Sequence, residues 1–263
     1  MIRRDSIGDH HFMLMDSSDI LQASRDGRKW MNHQNGLWRY SIDKFEQQAV
    51  TGESSYVEES EKFLADIEDQ IPMSRGWRNV DDVVGAVPNV PAFLAGHPQC
   101  MRRRMRVSRD NAPLTVYMDL VSSSGISEKN VLRRGIVLMT LVRMLVEHRP
   151  VELWIGTTLQ DGHTSGTAAW RIDTAPLDLA RAAFHIADPK MSRLFGYAMC
   201  ETLTNCHLGG TVYRNDEKEQ RLRQVAGWYD TLYVPAIGMY DPMVDNPVGW
   251  LRGVMAKYVG ENE

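Results

Sequence analysis

Asp119 is followed by Ser122, Ser123, Ser124 and Gly125, a carboxylate and three hydroxyls in one short polar stretch. Such a loop offers oxygen donors to a ligand, or satisfies its own backbone amides as a local turn. A second chemistry lies in Cys100 to Asp110, CMRRRMRVSRD. On a two-residue period Arg102, Arg104 and Arg106 share one face, Met101, Arg103, Met105 and Val107 the other, and Arg109 follows. That basic face reads either as an edge strand protected from unwanted pairing or as a contact for phosphate or an acidic partner. Other groupings are weaker. The histidines of Asp9-His10-His11 are adjacent and point to different sides, which suits a metal poorly. Cys200, Cys206 and His207 lack the paired C-x2-C spacing of structural zinc, so the cysteines read as small apolar residues. Neither G-x-S-x-G nor a phosphate-binding G-x-x-x-x-G-K-[ST] occurs, and His148, His163 and His185 have no sequence-visible partner. A hydrolase built on Asp119 and His163 has no geometric support, and nothing in these motifs requires an enzyme.

The elements that must position the Asp119 loop are legible. Leu114-Thr-Val-Tyr-Met118, just after Pro113, predicts a buried strand ending on Asp119. Ser127 with Glu128 reads as the cap and acidic first turn of a helix running to about His148, where Arg133, Arg134 and Arg143 interrupt an otherwise apolar surface. Pro150 stops it and Val151 to Ile155 predicts a second strand. Strand, loop, helix and strand form a βαβ unit, whose right-handed crossover puts the Asp119 loop at the carboxyl end of the sheet, where open α/β folds bind ligands.

Downstream, Thr167 to Asp173 predicts a strand antiparallel to its predecessor. Helical patterns follow from Pro176, broken at Pro189 and resuming at Met191. Then come a Gly209-Gly210-Thr211 turn, a charged helix at Asp216 to Trp228, a strand at Thr231 to Ile237 and a last helix opened by Asn246 and Pro247. Upstream, residues 1 to about 75 are polar with scattered aromatics; an acidic helix at Val57 to Gln70 and a short one capped by Asn79 are expected, then an irregular proline-rich connector. The resulting division is an amino-terminal extension over 1–78 and an α/β domain over 79–263.

With 263 residues, 43% of them hydrophobic, the chain can bury one substantial core. A net charge of -4 gives no global attraction to nucleic acid, so such binding needs a local patch. Three cysteines make no disulfide framework, and no apolar run is long enough for a membrane span. A cytoplasmic, soluble protein without membrane partners is the expectation.

The order strand, Asp-Ser loop, long apolar helix, strand, antiparallel strand, helix, Gly-Gly-Thr, helix, strand, acidic loop and helix resembles the von Willebrand factor A domain over about residues 114–258. The resemblance implies a doubly wound, mostly parallel α/β sheet of Rossmann type, with an irregular, partly helical extension ahead of it. It also implies a metal-ion-dependent adhesion site at the carboxyl edge. Asp119 and Ser123 stand at the ends of the Asp-x-Ser-x-Ser loop, Thr211 at the threonine's place, and Asp241 is the nearest aspartate after the later strand. Val121 occupies the middle serine's place unless Ser122 serves by a one-residue shift. Magnesium takes hard oxygen ligands near octahedral geometry, which Asp119, Ser122, Ser123, Thr211 and Asp241 would supply. The broken motif favours the same site without metal.

The leading expectation is thus a non-enzymatic module that engages a protein partner at that edge, the resemblance implying an AAA-type ATPase. The alternative is a single-stranded nucleic-acid-binding accessory protein or transcription cofactor, of the kind a phage encodes. It would hold phosphates with Arg102, Arg104, Arg106 and Arg109 and stack bases on Trp30, Trp38 and Tyr40.

Overall fold

The computed structural model describes residues 1–67, 70, 77–84, 87–106, 113–122, 125–161, 164–174, 177–205, 207–208, 210–211, 216–238 and 240–259. The chain opens with a hairpin, β1 (Arg3–Ile7) and β2 (His10–Asp16), turned at Gly8 with φ of 59°. Four helices follow, α1 (Ile20–Asp26), α2 (Arg28–Trp38), α3 (Ile42–Thr51) and α4 (Ser54–Ile67). A small antiparallel sheet comes next, from β3 (Trp77–Asp82), β4 (Val87–Pro88) and β5 (Met101–Arg106), with α5 (Val90–Leu94) between its last two strands. Then β6 (Leu114–Asp119), α6 (Glu128–Val146) and β7 (Val151–Asp161) make the expected βαβ unit. Ser127 caps α6, its Oγ accepting from the Asn130 amide. The remainder is β8 (Thr164–Ile172), α7 (Leu179–Ala187), a π-type turn at Met191–Gly196 leading into α8 (Tyr197–Thr204), and β9 (Gly210–Thr211). After these come α9 (Asp216–Ala226), β10 (Thr231–Val234), α10 (Pro242–Asp245) and α11 (Pro247–Val259).

The main sheet runs β1-β2-β8-β7-β6-β10, with β9 added beside β7. β2 with β8, β7 with β6, and β6 with β10 are parallel, whereas β1 with β2 and β7 with β8 are antiparallel. It is an α/β fold with a mostly parallel sheet flanked by helices.

Two expectations need correction here. The amino-terminal segment is no irregular appendage, because β2 lies in register with β8 from His10 opposite Ser165 to Asp16 opposite Arg171. Phe12, Met13, Leu14 and Met15 are buried by that pairing, so the start of the chain belongs to the main sheet on the same footing as β6. A boundary at 78 therefore does not divide the sheet from what precedes it. The second correction concerns Asn79, expected to cap a helix. The backbone at Trp77–Asp82 is instead a strand opposite β5, and β5 is not an edge but the middle strand, flanked by β3 and β4.

Packing follows the pleat. Met13, Met15, Leu114, Val116 and Met118 point into the larger core, with Val137, Phe184 and Phe195 among their partners. The opposite face carries Phe12, Leu14, Tyr117 and Ala169 beneath Leu222, Val225 and Trp228, so α9 and the turn after it cover that side. Trp170, Phe45 and Phe195 are fully buried, and each such aromatic truncated to alanine would cost about 3–5 kcal/mol. Gly135 lets α6 approach α7 closely, since a Cβ there would lie 2.5 Å from the Ala187 Cα. Among the described residues no helix is long and apolar enough to cross a membrane.

Candidate functional site

Strand pairing assembles the rim at the carboxyl end of β6. Beyond Asp119 the chain keeps company with the tail of β10, the Ile237 amide donating to the Val121 carbonyl at 3.1 Å and Ser122 forming a bridge with Ile237. Both tails turn over the helix that separates β6 from β7. From that helix Arg134, only 2% exposed, reaches up between them. Its Nη1 donates to the Asp119 carbonyl at 2.9 Å, its Nε lies 3.0 Å from Asp241 Oδ2, and its Nη2 donates to the Pro235 carbonyl. Asp241 is itself 8% exposed and accepts from the Met243 amide, capping α10. Asp119 Oδ1 accepts from the Val121 amide at 2.9 Å. Burial draws the Arg134 guanidinium below its usual range while Asp241 and Asp119 hold it up. Arginine keeps its charge at such a position, so the rim contains a fixed internal cation.

Of the residues expected to hold magnesium, Asp119 and Asp241 bond to that cation. Asp119, Ser122 and Asp241 come together at the rim. The Ser122 carbonyl accepts from the Tyr197 hydroxyl at 3.0 Å, and its side chain is buried. The backbone of Thr211 stands opposite Leu159, three residues past the Gly156 that faces Asp119, so it lies further along the same carboxyl side. Ser123 lies outside the described residues. A guanidinium supplies donors only, so the carbonyl and carboxylate oxygens that face Arg134 are already satisfied without a metal. Around the rim, Tyr240 is 86% exposed beside the buried Asp241. Arg193 is stacked over Trp38 at 4.6 Å and donates to the Ile126 carbonyl at 2.8 Å, fastening the loop before α6.

The described arginines and the aromatics expected to hold nucleic acid belong to different elements, β5 on one hand and α2 with the turn after it on the other. Arg102 pairs with Asp81 at 3.5 Å and Arg103 with Asp82 at 2.8 Å, across the β3–β5 ladder. The backbones of Arg104 and Arg106 face Asn79 and Trp77, and Arg109 lies outside the described residues. Val83, Val84, Val87, Val90, Phe93 and Leu94 lie beside them on the same small sheet and its helix, all more than half exposed. Trp30, Trp38 and Tyr40 belong instead to α2 and the turn after it. Tyr40 donates to Glu128, and its hydroxyl is pushed up to about 12, first by burial and then by that carboxylate. His10 is also committed internally, its Nδ1 2.6 Å from Ser165 Oγ and its Nε2 2.8 Å from Thr167 Oγ1. His163 lies outside the described residues.

Sequence reasoning missed one constellation. Glu201 on α8 is fully buried, yet it meets His207 Nδ1 at 2.6 Å and Gln34 Nε2 at 2.9 Å. Asn205, in the left-handed conformation with φ of 51°, ends α8 and turns the chain so that His207 comes back to Glu201. His33, one residue before Gln34 on α2, stacks edge-on against His207 with ring centroids 4.7 Å apart. Glu201 and His207 are six positions apart, but His33 is distant in sequence and no spacing rule joins it to them.

No curated protein and no solved structure matches the chain. A family model described as a domain of unknown function, DUF7192, matches residues 5–222, from the first hairpin through α9. The match spans both sides of residue 78 and takes in the rim residues of β6 and α6 as well as the His33, Glu201 and His207 group, and on this extent the chain belongs to the DUF7192 family.

Proposed function

We propose that the chain is a non-catalytic binding module of von Willebrand A-like architecture that takes a protein partner at the carboxyl rim of its main sheet. The convergence of Asp119 and Asp241 on buried Arg134 carries this reading. The arginine does the neutralising that the resemblance assigns to magnesium, so the rim holds its shape without a metal. Its ionisable groups answer one another rather than facing a substrate. Tyr240, exposed at the lip, supplies a rigid amphipathic contact of the sort that anchors protein interfaces. A protein is favoured over a nucleic acid because Arg102 and Arg103 of β5 meet aspartates, and exposed valines, Phe93 and Leu94 lie on the neighbouring segments. An AAA-type ATPase is the partner class the resemblance implies.

A photo-crosslinking residue at Tyr240 tests the reading in cells that make the protein, with the same residue at Tyr229 as control. Tyr229 is 96% exposed and precedes β10, at the opposite end of the strand from Tyr240. Discrete protein adducts are expected from Tyr240 and not from Tyr229, unchanged when irradiation is carried out instead on a lysate prepared in EDTA. Adducts to nucleic acid, equal capture from both ends, or loss of adducts in EDTA would each overturn it.

A further inference from the structure

Glu201, His33 and His207 share no residue with the Arg134 cluster, and their arrangement is independent of the reading above. A fully buried carboxylate is costly unless its charge is answered. Among the described residues the side chains bonded to Glu201 are Gln34, which is neutral, and His207, whose side chain is 56% exposed. The three ligand-type atoms, one carboxylate oxygen and two imidazole nitrogens, all lie within 4.8 Å of one another. We propose that His33, Glu201 and His207 bind one borderline divalent ion of the zinc type.

The donor set fits that class. Two imidazoles and one carboxylate suit zinc, cobalt or ferrous iron, whereas magnesium takes oxygen ligands. The carboxylate is already oriented, because Gln34 holds Oε2 and leaves Oε1 toward His207. This is the outer-shell support that metal ligands ordinarily have. α2 therefore provides both a ligand, His33, and, one residue on, the group that aims Glu201. An entering ion takes the place between Glu201 Oε1 and His207 Nδ1 now bridged by a proton, and that proton leaves. Ligand atoms around zinc at about 2.1 Å stand roughly 3.4 Å apart. The Glu201–His207 pair, now 2.6 Å apart, must therefore open to admit the ion while the third ligand of the 4.8 Å cluster closes in. His33 and His207 are both exposed, so their side chains have room to adjust. Three protein ligands at a solvent-facing position leave at least one place for water or a partner's side chain.

The full chain, stripped with chelator and dialysed, is titrated with zinc chloride, cobalt chloride and magnesium chloride. One equivalent of zinc by calorimetry, a higher Tm with zinc, and visible d–d bands with cobalt are expected; magnesium produces none of these. His33→Ala removes an exposed side chain and should melt like the parent without metal, whereas His207→Ala also takes a hydrogen bond from buried Glu201 and should melt lower. Each should weaken zinc by about tenfold or more, and Gln34→Met should do the same through the carboxylate it positions. Absence of zinc binding overturns the proposal. So does zinc binding of undiminished affinity in the double variant His33→Ala/His207→Ala, which would put the ion on other groups such as Asp9 and His11.

Discussion

Two of the buried carboxylate sites among the described residues are answered in different ways. At the rim, Asp241 meets a guanidinium tethered to α6 and nearly inaccessible to water. At the α2–α8 junction, Glu201 meets a histidine that is half in solvent and an amide that carries no charge. The first arrangement is permanent, because arginine does not titrate and cannot be exchanged. The second is exchangeable under the metal-site proposal, since an exposed imidazole hydrogen-bonded to a carboxylate can turn both donors to a metal ion.

The sharpest way to break the comparison is at Arg134. Arg134→Met should leave Asp241 buried without its charge partner and free the carbonyls of Asp119 and Pro235, costing about 3–5 kcal/mol in urea unfolding. Adding Asp241→Leu should recover much of this loss although it also removes the cap of α10, because an apolar pair replaces a broken ionic one. If the single variant unfolds at the parental urea concentration, the guanidinium does not organise the rim.

A third buried group gives the pH limb of the contrast. His185 on α7 is fully buried, its Nε2 on the Ala49 carbonyl, and burial pushes it down to about 4 from 6.5. Its folded form resists protonation, so the unfolded chain binds the extra proton first. Stability from this group is complete above about pH 6.5 and is lost as the pH falls toward about 4, by on the order of 3 kcal/mol. Urea melts from pH 7 to 4 should show that decline, and His185→Gln should flatten it. At Glu201 a smaller effect is expected: Glu201→Gln replaces a charge with an amide beside exposed His207 and should cost about 1–3 kcal/mol.

How much of this was legible depends on where the partners sit in the chain. The β6–α6–β7 unit is readable because its apolar runs, its cap and Pro150 are all local, and the helices about Pro189 and Pro247 are marked by proline in the same way. The first hairpin is not, because β2 finds its partner 155 residues later and begins with two histidines. Nothing near His10 announces that Ser165 and Thr167 will satisfy both ring nitrogens. β5 is a similar case: an alternating arginine strand reads as a defended edge until Asp81 and Asp82 are known to lie across from it. At the site, Asp119 was identifiable from its loop, but Arg134 looked like one of three polar interruptions in an apolar helix. Its importance comes from Asp241, on an element more than a hundred residues downstream. The His33, Glu201 and His207 group is hidden for the same reason.

The smallest expected effect separates exposed ion pairs from buried ones. Arg102 and Arg103 are about half exposed, and each meets a partly exposed aspartate of β3. Water and salt already screen such pairs, so the double variant Arg102→Ala/Arg103→Ala should change stability by no more than about 1 kcal/mol. The same change bears on ligand class. Were β5 a phosphate surface, removing two arginines would weaken single-stranded DNA binding and flatten its dependence on salt, each phosphate contact contributing about 0.7 to the logarithmic slope. With Asp81 and Asp82 facing them, the arginines should give the parent protein little affinity to lose. Fluorescence anisotropy at low and moderate salt should therefore be indistinguishable between variant and parent, whereas a steep parental salt slope that the variant lacks would return the basic strand to nucleic acid.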